Sequence, residues 1–244
     1  IQSLNPEVQK RISRRQDSAR TQAHVRWLVA HSAAHLHTDL IFGLPGETWE
    51  SFAQGFDTLW SWGPHEIQLG VLKRLRGTPL ALTAGPAMVF AAEPPYAIES
   101  TDALDPAQVQ RFVRLARYWD LVANSGRFAK TLPCLLEGPS AFAAFAHFAD
   151  WLWTRTGQTS GITPEALVDA LYDYFCSQKQ LPAERAQALL LADYLASGAR
   201  ARPQALKALL SRAQRARHGL QPVAAGHSQR QQRHAAVIPD DTTS

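Results

Sequence analysis

Three polar features near the start of the chain have the types and spacing to bind a small, hydroxyl-rich or charged ligand. Asp39 interrupts the apolar run Leu36–Phe42, where an unpaired carboxylate would be costly to bury. Gln2 precedes this run, and a glycine-containing loop, Gly43–Thr48, follows it. If the run is a parallel strand, all three features lie at the edge where such folds bind ligands. The alternative is a hydrogen-bonded structural Asp39 and an ordinary tight turn.

The histidines and cysteines make a weaker case for a metal. His31, His35 and His37 are close in sequence, but a helix should end near His31 and His37 should enter a strand. We therefore predict no metal ligands among them. The two cysteines, Cys134 and Cys176, are 42 residues apart, and no CxxC motif is present. This excludes a disulfide scaffold and a self-contained thiolate metal site.

Alternating helices and strands are predicted to position the polar features. The order helix, strand, helix, strand with short loops indicates parallel βα units. Two strands alone make no stable parallel sheet, so residues 1–80 are interpreted as part of a larger α/β barrel. Hydrophobic periodicity and capping residues predict helices at 5–13, 18–31 and 49–62, and strands at 36–42 and 66–72.

The remainder of the chain is predicted to be all-α after a Pro- and Ala-rich connector at residues 79–100. A helix starts at Asp105-Pro106 and stops before Asn124-Ser125-Gly126. The predicted domains are 1–80 (part of an α/β barrel), 81–217 (helical) and 218–244 (a disordered basic tail). Further helices are predicted at 140–155, 164–177, 182–196 and 203–217. The apolar stripe of the helix from Asp105 consists of Val109, Phe112, Val113, Ala116 and Trp119.

Basic charge is concentrated at the C-terminal end. The net charge is +4, yet residues 1–196 hold 17 basic and 19 acidic side chains, whereas residues 197–244 hold 8 and 2. Any binding of nucleic acid would therefore fall to the tail, although a solvated basic end is the favoured interpretation. No run of about 18 apolar residues is present, so no membrane partner is expected.

Two segments near the start resemble a known family in both sequence and spacing. The first consists of Ile1–Val8 together with Ser13-Arg14, and the second is Thr38–Thr48. Gln2 and Arg14 are 12 residues apart, and Asp39 follows 25 residues later. These segments resemble the fourth and fifth barrel strands of radical S-adenosylmethionine (radical SAM) enzymes. The branch is the one that contains the anaerobic coproporphyrinogen oxidase and the tRNA methylthiotransferases.

The resemblance implies roles for four residues. Gln2 and Asp39 match residues that hydrogen-bond the ribose hydroxyls of SAM, and both side chains can accept such bonds. Arg14 matches the residue that pairs with the methionyl carboxylate, for which a planar guanidinium is suited. Ile41 matches an apolar residue that packs on adenine. Glu47 lies one place beyond the usual glutamate of the family, so the resemblance leaves its role open.

A second resemblance covers the helical part, to about residue 210. It rests on Gly70–Lys73, Arg76–Leu80, Pro94–Tyr96 and Asn124–Phe128. These motifs resemble the helical C-terminal domain of uncharacterised cobalamin-binding radical SAM proteins. In those proteins a cobalamin-binding domain precedes the barrel and the helical domain follows it.

The two resemblances imply an enzyme that binds SAM and a [4Fe–4S] cluster and forms a 5′-deoxyadenosyl radical. A reductant such as flavodoxin or ferredoxin and a cytoplasmic location are expected. Cobalamin is left open; a member that uses it would transfer a methyl group or rearrange a carbon skeleton. The CxxxCxxC motif of the family is not in these 244 residues. We therefore expect the cluster ligands upstream of Ile1, and no catalysis by this chain alone.

One alternative comes from a different functional class. In it, the chain is a non-enzymatic helical interaction module whose basic tail binds RNA or an acidic partner. The enzyme hypothesis requires a CxxxCxxC motif upstream of these residues in the full gene. The interaction-module hypothesis does not. The substrate cannot be inferred from the sequence under either hypothesis.

Overall fold

A computed structural model describes residues 1–14, 16–78, 85–199 and 201–210 of the 244. Over these residues the chain is mixed α/β, rich in helix, with a few short strands and no closed barrel. The mixed α/β character is as predicted, and the assignment to part of a barrel stays a prediction. The predicted helix over 203–217 lies within the described residues only as far as residue 210, and the predicted disordered tail lies wholly outside them.

The chain divides into two compact units. The first contains residues 1–120 and 138–150, and the second contains residues 121–137 with the described residues from 151 on. The division falls within two helices and not at residue 80. The predicted domains are assignments to protein families. The division into compact units does not test such assignments, so the predicted boundaries stay predictions.

The first unit contains the predicted parallel pair of strands. Strand β1 (His37–Phe42) pairs in parallel with β2 (Glu66–Val71). Helix α3 (Trp49–Trp60) connects them, and α1 (Pro6–Arg11) and α2 (Ser18–His31) precede them. The parallel βα arrangement predicted from the sequence is therefore confirmed.

Side chains from the loops cap the first helices where the sequence predicts them to begin. The Asn5 side chain accepts from the amide of Glu7 at 2.9 Å, and Thr48 Oγ1 accepts from the amide of Ser51 at 3.1 Å. Helix α1 ends two residues earlier than predicted because Ser13 adopts a positive φ of 55°, which a helix cannot continue.

One face of the sheet forms the core of the first unit. Thr38, Leu40 and Phe42 alternate along β1 and are buried. The ring of Phe42 stacks on Phe112 with the centroids 4.0 Å apart, and Phe52 lies edge-on to it at 5.2 Å. This aromatic packing holds the sheet against α3 and the later helix that carries Phe112.

A small antiparallel ribbon lies within the predicted connector and was not expected from the sequence. It consists of β3 (Val89–Phe90) and β4 (Ile98–Ser100). The amide of Ile98 donates to the carbonyl of Leu72 at 2.9 Å, just beyond the end of β2. This bond and an isolated bridge between Lys73 and Ala97 attach the ribbon to the sheet.

Helix α4 (Pro106–Val122) follows the predicted pattern with one exception. Asp105 and Gln108 exchange side-chain-to-backbone hydrogen bonds at its start, as in a capping box. In the predicted stripe, Val113 is 42% exposed and does not belong to the core. The indole of Trp119 is buried and donates to the carbonyl of Ile67 in β2 at 2.8 Å.

The second unit is helical. Its helices α7 (Pro164–Ser177) and α8 (Ala183–Ala196) agree with the predicted ranges, as does α6 (Ala141–Thr156), within which the division between the units falls. Helix α5 (Thr131–Leu135) was not predicted, and a 3₁₀ turn spans Gln204–Leu206.

Asp193 of α8 anchors the start of α5. Its carboxylate is 3% exposed and accepts from the amides of Lys130 at 2.9 Å and Thr131 at 2.8 Å. Burial raises the pKa of Asp193, and these hydrogen bonds oppose that shift. A carboxylate distant in sequence therefore satisfies amides that the short helix leaves unpaired.

Candidate functional site

The second face of the sheet is polar and carries the predicted site. Asp39 pairs in register with Gln68, and Ile41 pairs with Gly70. Asp39 is exposed and makes no side-chain hydrogen bond or ion pair with the described residues. The sequence-based alternative of a hydrogen-bonded structural aspartate therefore finds no support, and neither does the expectation of a burial cost. The carboxylate is available to a ligand.

Gln2 lies at the outer edge of β1. Its backbone carbonyl accepts from the amide of Ile41 at 2.9 Å, on the edge of β1 that faces away from β2. One backbone hydrogen bond therefore joins the half-buried Gln2 to β1. The structure brings Gln2, Asp39 and Ile41 together, although it does not test their roles.

Gly70 allows Ile41 to lie across the sheet. A Cβ atom at position 70 would sit 2.9 Å from Ile41 Cδ1, closer than packed carbons normally approach. The absence of a side chain there gives Ile41 its position on the polar face. This apolar patch lies next to the exposed carboxylate of Asp39, two residues earlier along β1.

Arg14 has no contact in common with the other predicted site residues among those described. It follows α1, where its amide donates to the carbonyl of Gln9 at 2.8 Å, and its side chain is exposed. Among the described residues, no hydrogen bond or ion pair joins Arg14 to Gln2 or Asp39. Its role in pairing with a carboxylate stays a prediction.

Backbone conformation and packing account for the two glycines of the loop after β1. Gly43 has a φ of 89°, and a Cβ there would lie 2.6 Å from Ile98 Cγ2. Gly46 has a φ of 76°, and a Cβ there would lie 2.7 Å from Arg11 Cζ. The positive φ strains a side chain at either position, and at Gly43 the buried Ile98 also leaves no room for one, which favours the interpretation of this loop as a tight turn.

Glu47 connects three segments around the site. It is 1% exposed, and its Oε1 accepts from Ser3 Oγ at 2.8 Å and from Ser51 Oγ at 3.2 Å. Its Oε2 has no hydrogen-bond partner among the described residues. Burial raises the pKa of Glu47 to about 6, and the two hydroxyl groups oppose this shift. Glu47 thus holds the segment that carries Gln2 against the loop and α3, and does not itself face the polar surface.

A second polar group lies at the opposite end of the same face. His35 Nε2 is 3.1 Å from Glu66 Oε1, and His37 Nδ1 is 3.0 Å from Glu66 Oε2. The sequence pattern did not indicate Glu66, because the pairing of His37 with Glu66 depends on the register between two strands. His31, by contrast, stacks on Trp27 within α2.

His65 supports this group from the loop before β2. Its ring lies 5.0 Å from that of His35, and its Nδ1 accepts from the amide of Leu36 at 3.0 Å. Burial lowers the pKa of His65, and so do His35 and His37, whereas Glu66 opposes the shift. The hydrogen bond assigns the proton of a neutral His65 to Nε2.

The second unit has a separate cleft of about 340 Å³ between α6 and α7. It is flanked by an ion pair between Arg155 and Asp173 at 2.5 Å. None of the predicted site residues lines it. The cysteines, Cys134 and Cys176, are free and half-buried in this second unit.

Comparison with known proteins identifies the C-terminal part of the chain. No match to a curated protein was found. None of the described helices has both the length and the apolar character that a membrane span requires. Residues 87–238 match the model of DUF4080, described as a protein of unknown function, a domain found in cobalamin-binding radical SAM proteins. Because this match spans more than half of the sequence, the chain belongs to the DUF4080 family.

Proposed function

We propose that the chain is part of a radical SAM enzyme and that the polar face of its parallel sheet binds the nucleoside half of SAM. The observation that carries the proposal is the position of Gln2 and Ile41 in adjacent segments, beside the exposed carboxylate of Asp39. Membership of DUF4080 supports it, because that domain is found in cobalamin-binding radical SAM proteins.

Each residue would contribute a contact suited to its chemistry. The Asp39 carboxylate can accept hydrogen bonds from both hydroxyls of a ribose, and the Gln2 side-chain carbonyl can accept one more. Ile41 offers an apolar surface to a purine ring, and its side chain lies over Gly70. Glu47 would act indirectly, by holding Ser3 and thereby the segment of Gln2.

The iron–sulfur part of the proposal lies outside these residues. A [4Fe–4S] cluster supplies the electron that cleaves SAM to a 5′-deoxyadenosyl radical in enzymes of this kind. The chain has two cysteines, which are too few to hold such a cluster. Its thiolates would have to come from outside this chain, as would most contacts to a cobalamin. Reduction by flavodoxin or ferredoxin and a cytoplasmic location form part of the same proposal.

Substitution of Asp39 tests the proposed site. We expect Asp39→Ala to weaken binding of SAM and of 5′-methylthioadenosine by about 1–3 kcal/mol, since hydrogen bonds from the ribose are lost. Methylthioadenosine is included because Gln2, Asp39 and Ile41 are proposed to contact the nucleoside. Its binding requires no iron–sulfur cluster. Titration calorimetry gives both dissociation constants.

A matched control separates this effect from a general change of surface charge. Glu50, an exposed carboxylate in α3, lies away from the polar face, and Glu50→Ala should leave both dissociation constants unchanged. If Asp39→Ala also leaves them unchanged, Asp39 does not belong to the site and the proposal loses its central residue.

A further inference from the structure

The N-terminal ends of β1 and β2 carry a cluster of nitrogen and oxygen ligands that the proposed SAM site does not use. His35, His37 and Glu66, here called the His–Glu cluster, each offer one ligand atom. These three atoms lie within 4.8 Å of one another. The cluster lies at the end of the polar face opposite to Ile41, across the length of β1.

We propose that the His–Glu cluster binds a divalent transition-metal ion, with zinc as the best fit. Two imidazoles and one carboxylate, with a position left for water, form a common ligand set for zinc. Ligand atoms around tetrahedral zinc are separated by about 3.3 Å, because the bonds are about 2.0 Å long. The two histidine nitrogens lie 3.1 and 3.0 Å from Glu66, each from a different carboxylate oxygen, so each imidazole is already near that separation from the carboxylate.

Burial and outer contacts distinguish this cluster from a chance group of surface charges. The Glu66 side chain is fully buried, and that of His35 is 11% exposed. Gln68 Nε2 donates to Glu66 Oε2 at 2.8 Å, which orients the carboxylate. Metal sites characteristically have such outer hydrogen bonds, which fix the ligands in place.

The exposure of His37 supplies the entry path. Its side chain is 46% exposed, so an ion and its water ligand can reach the cluster from solvent without opening the core. Because His37 and Glu66 are register partners, the bound ion would join β1 to β2 at their first pair. The site would therefore stabilise the sheet, and the inference does not rest on SAM binding.

Zinc titration of the untagged 244-residue chain tests the proposal. We expect one Zn²⁺ per chain by calorimetry, and a higher unfolding temperature with zinc than with EDTA. Co²⁺ in place of zinc should give the intense visible absorption of a tetrahedral site. His37→Ala and Glu66→Gln should each weaken zinc binding at least 100-fold. His37→Ala is the primary variant because its exposed position tolerates truncation.

Three controls make the result decisive. His24→Ala removes an exposed histidine of α2 and should leave the zinc affinity unchanged. A chain ending at residue 210 lacks the histidines of the tail and should retain the site. His37→Cys should retain binding and add a thiolate charge-transfer band to the Co²⁺ spectrum. Zinc affinity that is equal in wild type and His37→Ala, or absent from the wild type, would overturn the proposal.

Discussion

At the scale of single residues, Glu47 is a buried carboxyl group whose two oxygens differ in environment. Oε1 accepts from two serine hydroxyls, Ser3 and Ser51, whereas Oε2 faces the protein interior without a partner among the described residues. The neutral acid suits this setting better than the ion, because desolvation outweighs the two hydrogen bonds. Glu47 therefore makes the free energy of unfolding depend on pH. The group responsible lies next to the segment that carries Gln2.

The substitution Glu47→Gln should remove this dependence. The pKa of about 6 in the folded chain exceeds the ordinary value of 4.5, so the stabilising contribution is complete below about pH 4.5 and is lost as pH rises through 6. Between pH 4.5 and 7 we expect the wild type to lose about 2 kcal/mol of unfolding free energy relative to Glu47→Gln. Urea denaturation across this pH range measures the difference.

The comparison needs an exposed carboxylate close by as a control. Glu50 is exposed in the first turn of α3, three residues after Glu47, and Glu50→Gln should leave the pH dependence of the unfolding free energy as it is in the wild type. Parallel pH profiles for wild type and Glu47→Gln would show that Glu47 titrates normally in the folded chain.

At the scale of elements, a helix or strand was predictable from the sequence where the residues that determine it lie close to it in the chain. Asn5, Asp17 and Thr48 each cap the helix that follows them, so the starts of α1, α2 and α3 were predictable. Helix α5 and the ribbon of β3 and β4 were not, because each is held by contacts distant in sequence. For α5 the contact comes from Asp193, more than 60 residues away.

The candidate site shows the same division. Asp39 was identifiable because a carboxylate interrupts an apolar run, whereas Ile41 was identified through the resemblance. Glu66 was missed as a partner of His35 and His37, since the strand register that aligns them has no local sequence signal. Arg14 was identified by resemblance alone, and the structure adds no contact that supports its role.

The anchoring of α5 by α8 predicts a large effect from one substitution. We expect Asp193→Ala to lower the free energy of unfolding by about 2–3 kcal/mol, because it strands two amides that the buried carboxylate now satisfies. Asp173→Ala removes an exposed ion pair with Arg155 in the same unit and should cost under about 1 kcal/mol. Equal costs for the two variants in chemical denaturation would contradict the anchoring role.

At the scale of the whole molecule, the net charge of +4 describes one end of the chain. Residues 1–196 hold 17 basic and 19 acidic side chains, so the part that contains the sheet is close to neutral. Without residues 211–244 the chain would hold 20 basic and 19 acidic side chains. Long-range attraction to a polyanion must therefore come mainly from the C-terminal segment.

Removal of residues 211–244 should abolish affinity for nucleic acid. Any binding of an RNA homopolymer by the full chain should weaken strongly with salt, and the chain ending at residue 210 should not bind. Fluorescence anisotropy at two salt concentrations measures both. A full-length variant with glutamine at the five arginines of the segment should behave like the truncated chain. RNA binding by the truncated chain would place the contact elsewhere.

The indole of Trp119 has a consequence for how the sheet meets other chains. An edge strand with unpaired carbonyls is a template for strand addition and aggregation. On β2, the carbonyl of Ile67 accepts a hydrogen bond from the indole of Trp119. A single side chain thus takes the place of a neighbouring strand at this point of the edge. That carbonyl is thereby closed to intermolecular strand pairing, while Asp39 on the polar face stays exposed.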